Sequence, residues 1–220
     1  MTDLDLPPEP SSARLVATLT FAGMLSGLLL ATTYAVTLPT IEANAAEALR
    51  QAVFQVVPGT VSMQKLVLQG ERFVLADGSE AKAAVAVYAA YGFDGRFLGY
   101  AIPGQGPGFQ DTIKLLYGYD PAKQIVVGMQ VLDSRETPGL GDKILKDPAF
   151  AAEFSTLAAL PEIVVVKHGT GVKPNEVDGI TGATISSKAV VRILNEHNKA
   201  LLAKLPSGSD VPTAPKAGDK

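Results

Sequence analysis

The residues best suited to chemistry lie together near the C-terminus, in the run Asp178-Gly179-Ile180-Thr181-Gly182-Ala183-Thr184-Ile185-Ser186-Ser187. The run leads directly into a segment with helical patterning, so its small residues stand where a helix leaves its first N–H groups without carbonyl partners. The positive pole of the helix dipole lies at the same end and stabilises phosphate and other anions. Gly182 and Ala183 let a bulky group approach the backbone, and the hydroxyls of Thr181, Thr184, Ser186 and Ser187 cluster about the opening. The same residue types also make ordinary helix starts, because Ser and Thr are common N-caps and Gly a common turn residue. On residue chemistry alone, an anion site and a plain cap both remain open.

A second segment, Glu136-Thr137-Pro138-Gly139-Leu140-Gly141-Asp142-Lys143-Ile144, reads as a proline–glycine loop between a strand and a helix. Pro103-Gly104-Gln105-Gly106-Pro107-Gly108-Phe109-Gln110-Asp111-Thr112-Ile113 is glycine-rich in the same way, and two readings stay open for it: a segment that shapes a ligand pocket, or ordinary turn geometry. His168, beside Gly169, reads as a loop residue and His197 as a solvated one. With no cysteine and two histidines, the chain offers no disulfide, thiolate-bound cluster, thiol nucleophile or His-rich metal site. Any redox chemistry would need an organic cofactor. A net charge of -3, without a run of Lys and Arg, argues against nucleic-acid binding.

Several elements must position these residues. Leu15 to Leu38 carries no charge, and a helix of that length rises about 36 Å against a hydrocarbon core of about 30 Å. Arg14 precedes this span and the next basic residue is Arg50, which puts the N-terminus inside and the rest of the chain outside. A cleaved signal peptide ending near Ala43-Asn44-Ala45 is the rival reading, although the apolar stretch is longer than the usual signal core. After the span, Leu49, Val53, Val56 and Val57 recur with helical spacing until Pro58-Gly59. Strands are expected at Arg72–Ala76, Ala83–Tyr91, Arg96–Ile102, Ile125–Leu132 and Ile163–Lys167. Asp147-Pro148 has the form of an N-cap with proline at N1, and Ser187 to Leu202 reads as a closing helix with Val190, Leu194 and Leu201 on one stripe. The organisation expected is an α+β chain: a segment over 1–14, a membrane helix over 15–38, one exported domain over 39–205 with a mixed or antiparallel sheet and flanking helices, and a flexible tail over 206–220.

Asp178, Thr181, Gly182, Ala183 and Thr184 match the flavinylation pattern D-x-x-(S/T)-G-A-T of FMN-binding domains, and Glu136 to Ile144 resembles the ETPGLGDKI segment of RnfG, a component of Rnf electron-transport complexes. The chain thus resembles the RnfG family along its whole organisation. The resemblance implies FMN joined by a phosphoester to Thr184, transferred from FAD by a periplasmic flavin transferase, with Asp178, Thr181, Gly182, Ala183 and Ser186 around the tether. It places Glu136, Thr137, Pro138, Gly139, Leu140, Gly141 and Lys143 near the flavin ring, with neither a metal nor a catalytic residue in the chain itself. It implies a redox subunit in the bacterial inner membrane, inactive alone, with RnfA, RnfB, RnfC, RnfD and RnfE and membrane lipid as partners, in a complex coupling ferredoxin:NAD electron transfer to movement of Na+ or H+. Asp142-Lys143 favours this family over the related NqrC component of the sodium-pumping NADH:quinone reductase. The remaining alternative is a membrane-anchored interaction protein without redox chemistry, whose TGAT turn is only a helix cap.

Overall fold

In the computed structural model, residues 11–78 and 85–215 are described. Helix α1 (Ser12–Val56) is continuous over 45 residues, with Pro39 inside it. The expected span over 15–38 and the helical run from Leu49 are therefore parts of one helix, and Ala43-Asn44-Ala45 lies within it. Its apolar N-terminal part is long enough to cross a membrane, and none of it is buried against protein. That part belongs to a unit over Met1–Glu47, separate from the compact unit over Ala48–Lys220. The expected segment over 1–14 lies largely outside the described residues.

The second unit is built on a seven-stranded sheet in which every pair is antiparallel, in the order β2-β1-β3-β4-β5-β6-β7. Its strands are β1 (Ser62–Gln69), β2 (Arg72–Leu75), β3 (Ala86–Tyr91), β4 (Phe97–Pro107), β5 (Thr112–Asp120), β6 (Ile125–Asp133) and the short β7 (Leu157–Ala158). A separate parallel pair is formed by β8 (Val164–Val166) and β9 (Glu176–Asp178). Between β6 and β7 lie two short helices, α2 (Lys143–Lys146) and α3 (Pro148–Ala152), and the last helix is α4 (Thr184–Leu201). The α+β class with an antiparallel sheet agrees with the expectation. The strand expected from Ala83 is observed from Ala86, and Ala83 and Ala84 lie outside the described residues. As expected, the Asp147 carboxylate caps α3, accepting from the Ala149 amide at 2.9 Å with Pro148 in the first turn.

Alternation along the strands divides the apolar residues between the two faces of the sheet. Ile113, Leu115, Tyr117 and Tyr119 of β5 join the main core with Val190, Ile193 and Leu194 of α4. Leu116 points the other way and packs with Ala52, Val53, Val56 and Val57 at the end of α1. Glycines set how closely each helix approaches. Gly118 and Gly128 face each other across β5 and β6, and a Cβ on either would collide with the Val56 carbonyl. On the opposite face, a Cβ on Gly104 would lie 2.9 Å from Ile193 Cγ2, and one on Gly106 would lie 2.7 Å from Ile193 Cγ1.

The glycine-rich segment after Ile102 is strand, not turn, as far as Pro107, because it pairs with β5. β3 pairs with β4 only between Phe97 and Ala101, so Pro103 and Pro107 fall where β4 is paired on the β5 side alone. A missing N–H is tolerated there. β1 was not anticipated, because SMQKLVLQ lacks a clean polar–apolar alternation. His197, expected to be solvated, is half-buried beside β4, with Nδ1 2.8 Å from the Ile193 carbonyl.

The tail also departs from expectation over its described part, 206–215. The buried Tyr100 donates its hydroxyl proton to the Pro206 carbonyl at 2.6 Å, Tyr91 donates to the Pro212 carbonyl at 2.7 Å, and Ala214 packs on the core. Buried phenols need acceptors, and the proline carbonyls supply them. Positions 216–220 lie outside the described residues.

Candidate functional site

Helix α4 begins at Thr184 itself. Its N-cap is Ala183, with no capping side chain, and Gly182 before it has φ +84°, a left-handed conformation that favours glycine. The four hydroxyls of the run divide into two pairs. Ser187 is fully buried, accepts from the Ile180 amide at 3.1 Å and donates to the Ala183 carbonyl at 3.0 Å. Ser186 is buried and donates to Glu136 Oε2 at 2.5 Å. Thr181 and Thr184 are exposed. Among the described residues no hydrogen bond engages the Thr184 hydroxyl. The turn is thus organised by its serines, while the two threonines are exposed.

Glu136 is only 5% exposed and joins the two motifs. Its Oε1 accepts from the amides of Gln110 and Phe109 at 2.9 and 3.0 Å and, more distantly, from that of Asp111 at 3.5 Å, while Oε2 receives the Ser186 hydroxyl. Burial alone would raise the pKa of this carboxyl, but the Ser186 hydroxyl and the three amides outweigh it and hold the group below the usual glutamate range. A Cβ on Gly141 would lie 2.7 Å from both Glu136 Oε2 and Ser186 Oγ, so the second loop closes tightly over this carboxylate. The carboxylate ties the β4–β5 loop to the first turn of α4.

The remaining expected residues have distinct placements. Asp178, at the end of β9, accepts from the amides of Gly169 and Gly171 at 2.6 and 2.9 Å. Those bonds, the Gly169 amide foremost, depress its pKa. It shapes the 168–171 loop and lines neither cavity described below. Lys143 reaches across from α2 and donates to the Thr181 carbonyl at 3.3 Å. Thr137 donates to Gln110 Oε1 at 3.0 Å, and Pro138 and Gly139 are exposed at the outer tip of their loop.

Two cavities meet at Gly182 and Thr184. One, of ≈ 320 Å³, is lined by Phe109, Leu140 and Ile185 together with Thr137, Gly141 and Thr184. Phe109, Leu140 and Ile185 are 65%, 50% and 58% exposed, an apolar group that nothing in the fold covers. The other, of ≈ 470 Å³, is lined by Lys167, His168, Thr181, Gly182, Thr184 and Lys188, with apolar and glycine residues behind them. The exposed hydroxyl of Thr184 stands on the boundary between an apolar cleft and a cationic one. Phe109 belongs to the 103–113 segment for which a pocket-shaping role was one of the two readings, whereas Ile185, Lys167, His168 and Lys188 were not expected at a site. Of these four, Ile185 carries a signal, as an apolar residue in the first turn of a helix whose core stripe lies on another face.

Comparison with known proteins places this geometry in a family. The FMN-binding domain family matches residues 108–198, a range that includes both motifs. The G subunit of an ion-translocating oxidoreductase complex from Methanosarcina acetivorans is 30% identical over 186 residues, 83% of this chain and 90% of that protein. Its counterpart from Haemophilus influenzae strain PittEE is 31% identical over 197 residues, 84% of this chain and 90% of that protein. Among solved structures, the C subunit of the Na(+)-translocating NADH-quinone reductase of Parabacteroides distasonis has a TM-score of 0.60 at 24% identity, covering 76% of this chain and 96% of that one. That second likeness is one of fold. At this level of identity and coverage, the chain belongs to the family of G subunits of ion-translocating oxidoreductase complexes.

Proposed function

We propose that this chain is the FMN-carrying electron-transfer subunit of a membrane-bound ion-translocating oxidoreductase, with the flavin tethered through its phosphate to the Thr184 hydroxyl. The observation that carries the reading is the position of that hydroxyl: exposed, unengaged, and between an apolar cleft and a cationic one. The residues fit an FMN. Phe109, Leu140 and Ile185 form a surface for the aromatic ring, and the side of Thr184 facing Lys188 suits a phosphate. When bound, FMN supplies one- and two-electron redox chemistry that no side chain of this chain offers.

The chain's own residues hold and orient. Glu136 and Ser186 fix the first turn of α4 against the Phe109 loop, and Lys143 holds the Thr181 carbonyl. Asp178 fixes the loop that carries His168. A threonine hydroxyl is a weak nucleophile, so loading needs a separate flavin transferase. In that step the Thr184 oxygen bonds to the phosphorus on the flavin side of FAD, the diphosphate bridge breaks, AMP leaves, and the hydroxyl proton passes to a base of the transferase.

In this reading helix α1 anchors the domain with the N-terminus on the cytosolic side and the FMN domain outside the cytoplasm, supported by Arg14 just before the apolar span and the absence of a basic residue from there to Arg50. The other subunits of the complex, surrounding lipid and the flavin transferase are the partners, and the electrons pass between ferredoxin and NAD through the assembled complex. Intact mass of the native chain tests the tether. The chain is expected to be heavier than the bare polypeptide by FMN less one water, and Thr184→Ala is expected to show the bare mass with the melting temperature of the flavin-free parent, because Thr184 is exposed and caps nothing. A Thr184→Ala chain that still carries covalent flavin would rule out this attachment site.

A further inference from the structure

The cavity on the Lys188 side of Thr184 has a lining that the flavin ring does not account for. Lys167, His168 and Lys188 face it, and no acidic residue lines it, in a chain whose formal net charge is -3. The acid nearest in sequence to this lining, Asp178, is engaged by the amides of Gly169 and Gly171 and attracted by His168, and it lines no part of the cavity itself. Neither Lys167 nor Lys188 has an ion-pair partner among the described residues. Lys188 follows Thr184 by four positions in α4, so the two side chains rise from the same face one turn apart. Two lysines lining one cavity, neither with an ion-pair partner among the described residues, repel each other, and a bound anion relieves that repulsion.

We propose that this cavity is a phosphate-binding site, with Lys167 and Lys188 as its charged residues and His168 as a hydrogen-bond donor at its rim. The proposal rests on the reading of Thr184 as the flavin-bearing residue. The ligand is a phosphate at the Thr184 oxygen, and it has two sources: the finished tether, a phosphate diester, or the diphosphate of the incoming FAD. Lys188 acts on the phosphate and leaves the ring in the apolar cleft.

The test uses the full-length chain, purified without flavin in a phosphorus-free detergent and then loaded with FAD and the transferase. Lys188→Gln, Lys188→Arg and the double variant Lys167→Gln/Lys188→Gln are compared with the parent. Both lysines are exposed, so the variants keep the fold. Loading at low FAD is expected to slow roughly fivefold for each charge removed, through a raised KM for FAD, with Lys188→Arg near the parent and the difference shrinking at high salt. A shift of the tether's 31P resonance in the loaded double variant identifies the tether as the occupant. An unchanged resonance with a raised KM for FAD identifies the incoming diphosphate. A change confined to the KM for the chain means that the lysines touch the transferase, and it overturns the site. Normal loading and an unshifted resonance in the double variant overturn it as well. A parent chain that takes up no flavin overturns the Thr184 reading itself.

Discussion

Glu136 is a carboxylate taken almost wholly out of water and kept charged by the donors that surround it. Glu136→Gln keeps the shape but removes the charge and leaves one face of the amide pointing a donor at another donor. A cost of about 1–3 kcal/mol is expected in chemical denaturation, the usual penalty for breaking a buried charge-assisted bond. The same residue carries a pH dependence. Its pKa in the folded chain is depressed below the ordinary 4.5, so its contribution is fully present above that value and is lost as pH falls through the folded pKa. The parent should lose stability on acidification below pH 4.5 more steeply than Glu136→Gln, and equal slopes in pH-stepped denaturation would remove Glu136 as the cause. Gly141 belongs to the same unit, since its bare Cα is what lets the second loop close over the carboxylate.

At the level of elements, two helices lie on opposite faces of one sheet, and each meets glycines there. The consequences of filling those positions differ. A methyl at Gly106 meets Ile193 side-chain carbons, which can shift, whereas a methyl at Gly118 meets the Val56 backbone carbonyl, which cannot move without the helix. Gly106→Ala is expected to cost about 1–3 kcal/mol, the usual range for overpacking, and Gly118→Ala more than that. Thermal melts of the two variants test the ranking, and a smaller loss for Gly118→Ala would show that the end of α1 is loosely seated. Because α4 carries Thr184 at its first position, Gly106→Ala should also slow flavin loading, while Gly118→Ala, acting on the far face, should affect stability first.

For the whole molecule, helix α1 serves two roles. Its apolar N-terminal part has the length and composition of a membrane span, and its last turns supply Ala52, Val53 and Val56 to the second face of the sheet. A chain truncated to residues 48–220 should therefore be soluble and cooperatively folded, because the compact unit begins at Ala48. One beginning at Pro58 should expose Ala90, Ala101 and Leu116 and aggregate or bind a hydrophobic dye. Two chains of equal solubility and equal melting temperature would contradict this account of the second face. The tail acts in a similar way on a smaller scale, since Tyr91 and Tyr100 hold Pro212 and Pro206 through hydroxyls that stay protonated, burial pushing that of Tyr91 up to about 12.

The linear chain determined what local pattern alone can specify. The uncharged stretch required a helix of membrane length, the apolar stripe through Val190, Leu194 and Leu201 required an amphipathic closing helix, and Asp147-Pro148 required a helix start. The two motifs marked where to look because their residue types and order stand in the chain itself. Tertiary structure decided the rest, because each remaining feature depends on groups far apart in sequence. Whether Pro103-Gly104-Gln105-Gly106-Pro107 is turn or strand depends on its pairing with β5, and only the fold brings Glu136 to Ser186 fifty positions away. The same folding turned two serines inward and two threonines outward, a division that four similar hydroxyls in a row do not reveal. It also brought Lys167, His168 and Lys188, from a loop and a helix, to the lining of one cavity beside Thr184.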